Sequence, residues 1–256
     1  MKTVLITGAS SGIGKSLASL FAANGYNLVL VARREDILQG IAAELGKRYH
    51  VQVQVMCQDL ALPHAADMLY KQLGDQKIAV DILVNNAGFG DYGAFDATDM
   101  QKNNSLLLVN IIALTELSRL LLPHMKKRGF GKILNVASTA AFQPGPYMAV
   151  YFASKSYVLS FSEALSEELK GSTVTVSTLC PGPTKTEFEQ QASKESLFMF
   201  KDPMPVERVA QAAYDGLMAN KVIIIPGMKN TLFVFLLRLL PRRIIRKTMA
   251  TFLKKT

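Results

Sequence analysis

Short runs of β-forming residues alternate with longer helical stretches along most of this 256-residue chain, and that rhythm limits its fold more than any other feature. Thr3–Ile6, Asn27–Val31, Val51–Cys57, Ile82–Val84, Lys132–Val136, Thr173–Leu179 and Lys221–Ile225 read as strands. Several are unbroken apolar runs rather than alternating ones, as expected of strands covered on both faces of a parallel sheet. Lys15–Asn24 and Glu35–Tyr49 are long enough to be crossover helices. Tyr151–Leu169 places Tyr151, Lys155, Val158, Phe161 and Leu165 at helical spacing. The alternation predicts an α/β fold, with one doubly wound parallel sheet of about seven strands and helices on both faces. No repeat, low-complexity segment or linker interrupts residues 1–228, which are expected to form one domain. Thr184–Pro205 breaks the rhythm and mixes polar residues with Phe188, Phe198, Met199 and Phe200. Such a segment reads as a functional lid, or as a pair of short surface helices.

Charge narrows the choice of partners. The chain carries 29 Lys+Arg against 20 Asp+Glu. Nine of those cations and no acid fall in residues 221–256, so the first 220 residues are balanced. A nucleic-acid-binding face is therefore not expected, because the body holds no surplus positive charge. Apolar residues make up 49% and charged residues 19%, which excludes a disordered chain. Two cysteines, Cys57 and Cys180, cannot build a disulfide framework or a Cys-rich zinc site; they read as buried thiols in a reducing compartment. His50, His64 and His124 lack ligand spacing, so no metal site is expected. Neither the N-terminal apolar run nor Leu232–Leu237 is long enough for a signal-peptide core or a bilayer span, and the expected location is cytoplasmic.

The turn after the first strand points to a nucleotide. Gly8-Ala9-Ser10-Ser11-Gly12-Ile13-Gly14 joins that strand to the first helix. Glycines there permit a tight turn and close backbone approach, and the helix N-terminus offers free N–H groups to a phosphate. A P-loop is excluded, since Ala9 stands where its first glycine belongs. A Rossmann-type dinucleotide site is the better match. The second strand ends in Ala32-Arg33-Arg34, without the acid that binds a ribose diol. Arg33 or Arg34 can pair with a 2′-phosphate, so NADP(H) is expected over NAD(H). Glu35 and Asp36 fall where the next helix starts. Asp59 and Leu60 follow the third strand, with Asp59 placed to meet an adenine edge. Asn85-Asn86-Ala87-Gly88 follows the fourth, and is expected both to line the cofactor crevice and to tie the sheet edge.

Tyr151 and Lys155, four apart, share a helix face. Ser138 follows the fifth strand at the edge where such sheets bind ligands, and Asn110 lies in the preceding helix. Singly, each has a bland structural explanation. Together with Thr7-Gly8-x-x-x-Gly12-x-Gly14, Asn85-Asn86-Ala87-Gly88 and Pro181-Gly182-x-x-x-Thr186, they resemble the short-chain dehydrogenases/reductases of the single-domain type. More narrowly the chain resembles the DltE-like or 3-oxoacyl-carrier-protein-reductase-like branch. The extended branch matches poorly, because its glycine turn is spaced differently. The resemblance implies that Tyr151 is the general acid or base and that Lys155 favours its phenolate and holds the nicotinamide ribose. It further implies that Ser138 steadies the substrate oxygen, that Asn110 kinks its helix and holds a relay water, and that Thr186 fixes the carboxamide. Pro181, Gly182 and Thr184 complete the implied cofactor wall. A homo-oligomer, dimer or tetramer, is also implied.

Apolar residues flank these positions: Phe89, Tyr92, Thr139, Ala140, Phe142, Tyr147, Met148, Phe188 and Phe198. They predict a hydrophobic ketone or secondary alcohol as substrate. A binding-only NADP(H) regulatory protein, or a membrane-surface protein without turnover, is the alternative reading. Residues 229–256 form a basic amphipathic extension, expected to be helical. It can pack on its own domain, on a second subunit, or peripherally on an anionic membrane.

Overall fold

The computed structural model describes residues 1–187 and 203–254. Seven strands form one sheet in the order β3-β2-β1-β4-β5-β6-β7, every neighbouring pair parallel. They are β1 (Thr3–Thr7), β2 (Asn27–Ala32), β3 (Val53–Cys57), β4 (Ile82–Asn85), β5 (Gly131–Val136), β6 (Val174–Leu179) and β7 (Ile223–Ile224). β1, β2, β4 and β5 are buried almost throughout, which is what their unbroken apolar runs demand. β3 is an edge strand, starts two residues later than the sequence implies, and alternates in exposure. There the N–H of Gln52 is taken by the Asn27 side chain instead of a ladder partner, at 3.0 Å.

Helices cover both faces. α1 (Gly12–Ala23), α2 (Glu35–Tyr49) and α7 (Val206–Met218) bury Leu17, Phe21, Leu38, Ile41, Val209 and Leu217 against one face. On the other face lie α3 (Ala65–Asp75), α5 (Leu114–Arg128) and the end of α6 (Ala149–Glu168). α4 (Met100–Leu107) runs into α5 through a π-helical turn, Leu108–Ala113. The continuous run Met100–Arg128 is long and apolar enough, by length and composition, to cross a membrane. Here its Leu117, Leu121 and Met125 share an apolar cluster with Leu5, Leu83 and Ile133 of the sheet, as a core helix does.

The extension forms two further helices, α8 (Met228–Leu239) and α9 (Arg242–Leu253), broken at Pro241. α9 packs on the domain through Ile245, Met249 and Leu253, which join Leu106, Ala140, Met148, Tyr151 and Phe152. One expectation about the thiols is corrected. Cys180 is buried, but Cys57 is exposed, at the end of the edge strand, where its Sγ donates to the Arg33 carbonyl.

Candidate active site

Strand order reverses between β1 and β4, and loops leaving adjacent strands there diverge to opposite faces, opening a crevice at their carboxyl ends. A cavity of about 440 Å³ occupies that position. One end is lined by Gly8, Ser10, Ser11, Gly12 and Ile13 of the first turn, with Arg33, Arg34, Asp59 and Leu60. The other end is lined by Ser138, Thr139, Ala140, Met148, Tyr151 and Lys155. Asn86, Ala87, Gly88, Pro181, Gly182, Thr184 and Thr186 run between them.

The glycine turn leaves no room for side chains. Gly8 sits at φ +66°, and a Cβ on it would come within 2.9 Å of the Ala87 backbone. A Cβ on Gly14 would lie 2.4 Å from the Gly8 carbonyl, so Gly14 does not line the cavity but lets α1 close on the turn. Asn86 locks this arrangement, its Nδ2 donating to the carbonyls of Thr7 (2.9 Å) and Gly8 (3.2 Å). The Thr7 hydroxyl accepts from the backbone N–H groups of Asn86 and Ala87, both at 3.0 Å. Asn85 points inward instead and donates to Ser118 (3.0 Å) and Asn135 (2.9 Å). The two readings of the Asn-Asn-Ala-Gly turn are thus divided between its residues.

At the β2 end, Arg34 donates to Ser10 Oγ from Nε (3.3 Å) and Nη2 (3.1 Å), and its Nη1 pairs with Glu187 at 3.1 Å. Glu35 and Asp36 begin α2, where acids suit the positive helix end. Asp59 caps its own turn by accepting from Ala61 N at 2.9 Å.

At the other end, the α6 register brings Tyr151 and Lys155 to one buried face. Burial pushes the Tyr151 phenol up to about 12, with its hydrogen bond to Ser138 opposing the shift. Burial brings Lys155 down to about 8, with Cys180 opposing. Lys155 Nζ donates to the Val136 carbonyl at 2.9 Å and lies 5.9 Å from the Tyr151 ring centre. Burial, not the neighbouring ammonium, therefore dominates the phenol. Ser138 caps a 3₁₀ turn, Thr139–Phe142, accepting from Ala140 N at 3.1 Å.

Asn110 lies inside the π turn, and both its amide hydrogens are engaged, on Phe89 O (3.1 Å) and Ser154 Oγ (3.0 Å). Its Oδ1 accepts from Phe89 N at 3.1 Å. The side chain thus clamps the backbone of the β4 loop beside Gly88.

Of the apolar residues named as a substrate pocket, Phe89, Thr139, Ala140 and Met148 line the cavity. Tyr92, Phe142 and Tyr147 do not. Phe142 ends the 3₁₀ turn facing away and packs with Leu114, Ala137 and Val158. The Tyr92 hydroxyl is drawn to the tail and donates to the Leu253 carbonyl at 2.5 Å. Phe188 and Phe198, with most of the expected lid, lie outside the described residues. Sequence reasoning missed Ser105 and Val109, which also line the cavity and repeat at four residues along one helix face. It also missed the proximity of α9 to Tyr151, for which no local signal exists.

Comparison with known proteins identifies the family. A family model described as short chain dehydrogenase matches residues 2–197. The very-long-chain 3-oxoacyl-CoA reductase of Bos taurus is 33% identical over 181 residues, 69% of this chain and 57% of that protein, so the chain spans little more than half of that relative. A short-chain dehydrogenase from Sphingobium yanoikuyae, solved in complex with NADPH, superposes with a TM-score of 0.85 at 31% identity, covering 100% of this chain and 97% of that one. The bulky-bulky ketone specific alcohol dehydrogenase of Comamonas testosteroni gives a TM-score of 0.80 at 30% identity, covering 93% of this chain and 92% of that one. With its doubly wound nucleotide-binding fold and this match across most of its length, the chain belongs to the short-chain dehydrogenases and is an oxidoreductase.

Proposed function

We propose that this protein is an NADP(H)-dependent carbonyl reductase acting on a hydrophobic ketone, or on the matching secondary alcohol in reverse. The observation that carries the reading is one cavity with Arg33 and Arg34 at one end and Ser138, Tyr151 and Lys155 at the other. The residues fit a nicotinamide dinucleotide. The first turn lines the cavity where α1 begins, at Gly12, and a helix N-terminus offers free N–H groups to a pyrophosphate. Gly8, Ser10, Ser11, Gly12 and Ile13 would hold the phosphates, and Arg33 and Arg34 a 2′-phosphate. Asp59 and Leu60 would meet the adenine, while Asn86, Ala87, Gly88, Lys155, Pro181, Gly182, Thr184 and Thr186 would hold the nicotinamide half. Such a cofactor, when bound, supplies the hydride.

The chain's own residues handle the proton. A phenol raised to about 12 is neutral at pH 7 and can be given as an acid to a carbonyl oxygen. Ser138, hydrogen-bonded to that phenol, is placed to steady negative charge developing on the same oxygen. Lys155, when protonated, lowers the cost of the phenolate left behind. Phe89, Ala140 and Met148 give the substrate end an apolar wall. The ketone-specific relative supports a carbonyl substrate. A homo-oligomer and a cytoplasmic setting fit the same reading.

The test is a titration with NADPH and NADH side by side, followed by a screen of apolar ketones with wild type and Tyr151→Phe. NADPH should bind more tightly, and Arg33→Ala with Arg34→Ala should erase the difference. Tyr151→Phe should leave NADPH affinity unchanged and cut turnover by about 100- to 10,000-fold. Tight NADPH binding with no turnover on any carbonyl would instead make this a cofactor-binding regulator.

A further inference from the structure

The two C-terminal helices present a surface that the oxidoreductase chemistry leaves without a role. α8 is held to the domain by one buried side chain, Val234, with Asn230 and Leu237 half-buried beside it. At about 100° per residue, Met228, Leu232, Phe235, Leu236 and Leu239 form a stripe on the opposite side. Their exposure runs from 47% at Leu236 to 89% at Met228. Phe233, Leu240, Ile244 and Phe252 extend the apolar surface. Single exposed apolar residues are ordinary, but a contiguous stripe marks an interaction site.

The charge around this stripe has one sign. Lys229, Arg238, Arg242, Arg243, Arg246, Lys247 and Lys254 are all exposed, and no acid occurs after residue 220. We infer that the α8–α9 helix pair is a docking surface for an anionic lipid bilayer. A second copy of the chain is the competing occupant. A two-fold interface through this patch would set its cations against their own copies, with no acid in the segment to neutralise them. An anionic lipid surface accepts the apolar stripe and the cations together. The inner side of α9 carries Ile245, Met249 and Leu253 into the cluster around Tyr151, so the element that meets lipid also packs beside the candidate active site. The inference stands whether or not the protein reduces ketones.

The test is co-sedimentation of the full-length protein with vesicles of phosphatidylcholine alone and of phosphatidylcholine mixed with phosphatidylglycerol. Binding is expected only to the mixed vesicles, and raising salt from about 0.1 M to about 1 M should weaken it. Combining Phe235→Gln with Leu239→Gln should lower the partition by at least about tenfold while the melting temperature holds. If that variant melts early, Arg242→Ser with Arg243→Ser and Arg246→Ser tests the same surface through its charge, and should also abolish binding. No binding to mixed vesicles, or binding that neither variant reduces, overturns the inference. So does a dimer in light scattering that the Phe235/Leu239 variant dissociates, without any vesicle binding, which would assign the face to a second copy.

Discussion

At Lys155 the cost of burying an ammonium can be measured apart from the role proposed for it in proton transfer. Its ammonium is buried, and that burial brings its pKa from the ordinary value of 10.5 to about 8. The unfolded chain therefore holds this proton between about pH 8 and pH 10.5 while the folded chain has lost it, and stability contributed by this residue rises with pH across that window. Below pH 8 both states are charged and the full cost of burial is present. Lys155→Met, which keeps the volume and removes the charge, should stabilise the fold at pH 7 by about 1–2 kcal/mol, after allowing for the lost bond to Val136. Thermal denaturation at pH 7 and pH 9.5 checks this, and the gain should shrink at the higher pH. The same variant should lose carbonyl reduction. In the wild type, reduction should decline as pH rises through about 8, because the ammonium is lost while Tyr151 keeps its proton to about 12. A rate flat from pH 6 to 10 would show that the charge on Lys155 plays no part.

Between neighbouring elements, the π turn at Leu108–Ala113 does the positioning. The extra residue in that turn rotates Asn110 toward the β4 loop, where it satisfies both backbone groups of Phe89 and the Ser154 hydroxyl. Asn110→Ala would leave buried donors and acceptors without partners, at a cost of about 2–3 kcal/mol by urea denaturation. Because Phe89 and Gly88 line the cavity, KM for substrate should rise in the same variant. Asn110→Asp, which keeps Oδ1 but loses the amide donors, should recover only the Phe89 N–H contact. Elements of this kind set the limit of what the sequence discloses. The sheet is legible because β1, β2, β4 and β5 must be apolar on both faces, and the glycine turn because Gly8 and Gly14 answer to steric demands within a few residues. A π turn carries no period of its own, and Asn110 betrays it only by being a polar residue buried in an apolar helix. Phe142 faces away from the cavity for a related reason: the 3₁₀ turn at Ser138 decides its direction, and such a turn leaves no mark at the level of apolar pattern.

Across the whole molecule, α9 packs beside the candidate active site. Amphipathic spacing is enough to expect helices there, but which helix face meets which part of the body depends on contacts some 100 to 150 residues distant in sequence, between α9 and Leu106, Met148 and Phe152. Leu253 is fully buried at the centre of that contact, and its carbonyl takes the Tyr92 hydroxyl. Tyr92 in turn stacks on Tyr147, whose φ of +65° is a conformation a tyrosine adopts only when its surroundings hold it. Tyr147 immediately precedes Met148 of the cavity wall, so the chain end reaches the substrate side through contacts that can be cut singly. Leu253→Ala should cost about 2–4 kcal/mol, through the cavity it leaves. If α9 shapes the substrate end, KM for bulky ketones should rise in this variant while NADPH affinity stays as in the wild type, since Gly8, Arg33 and Arg34 line the far end of the same cavity. Isothermal titration with NADPH and steady-state kinetics on one small and one bulky ketone separate the outcomes. An equal loss for both ketones would mean that the tail only stabilises the domain. A selective loss for the bulky one would make the last helix part of how the enzyme chooses its substrate.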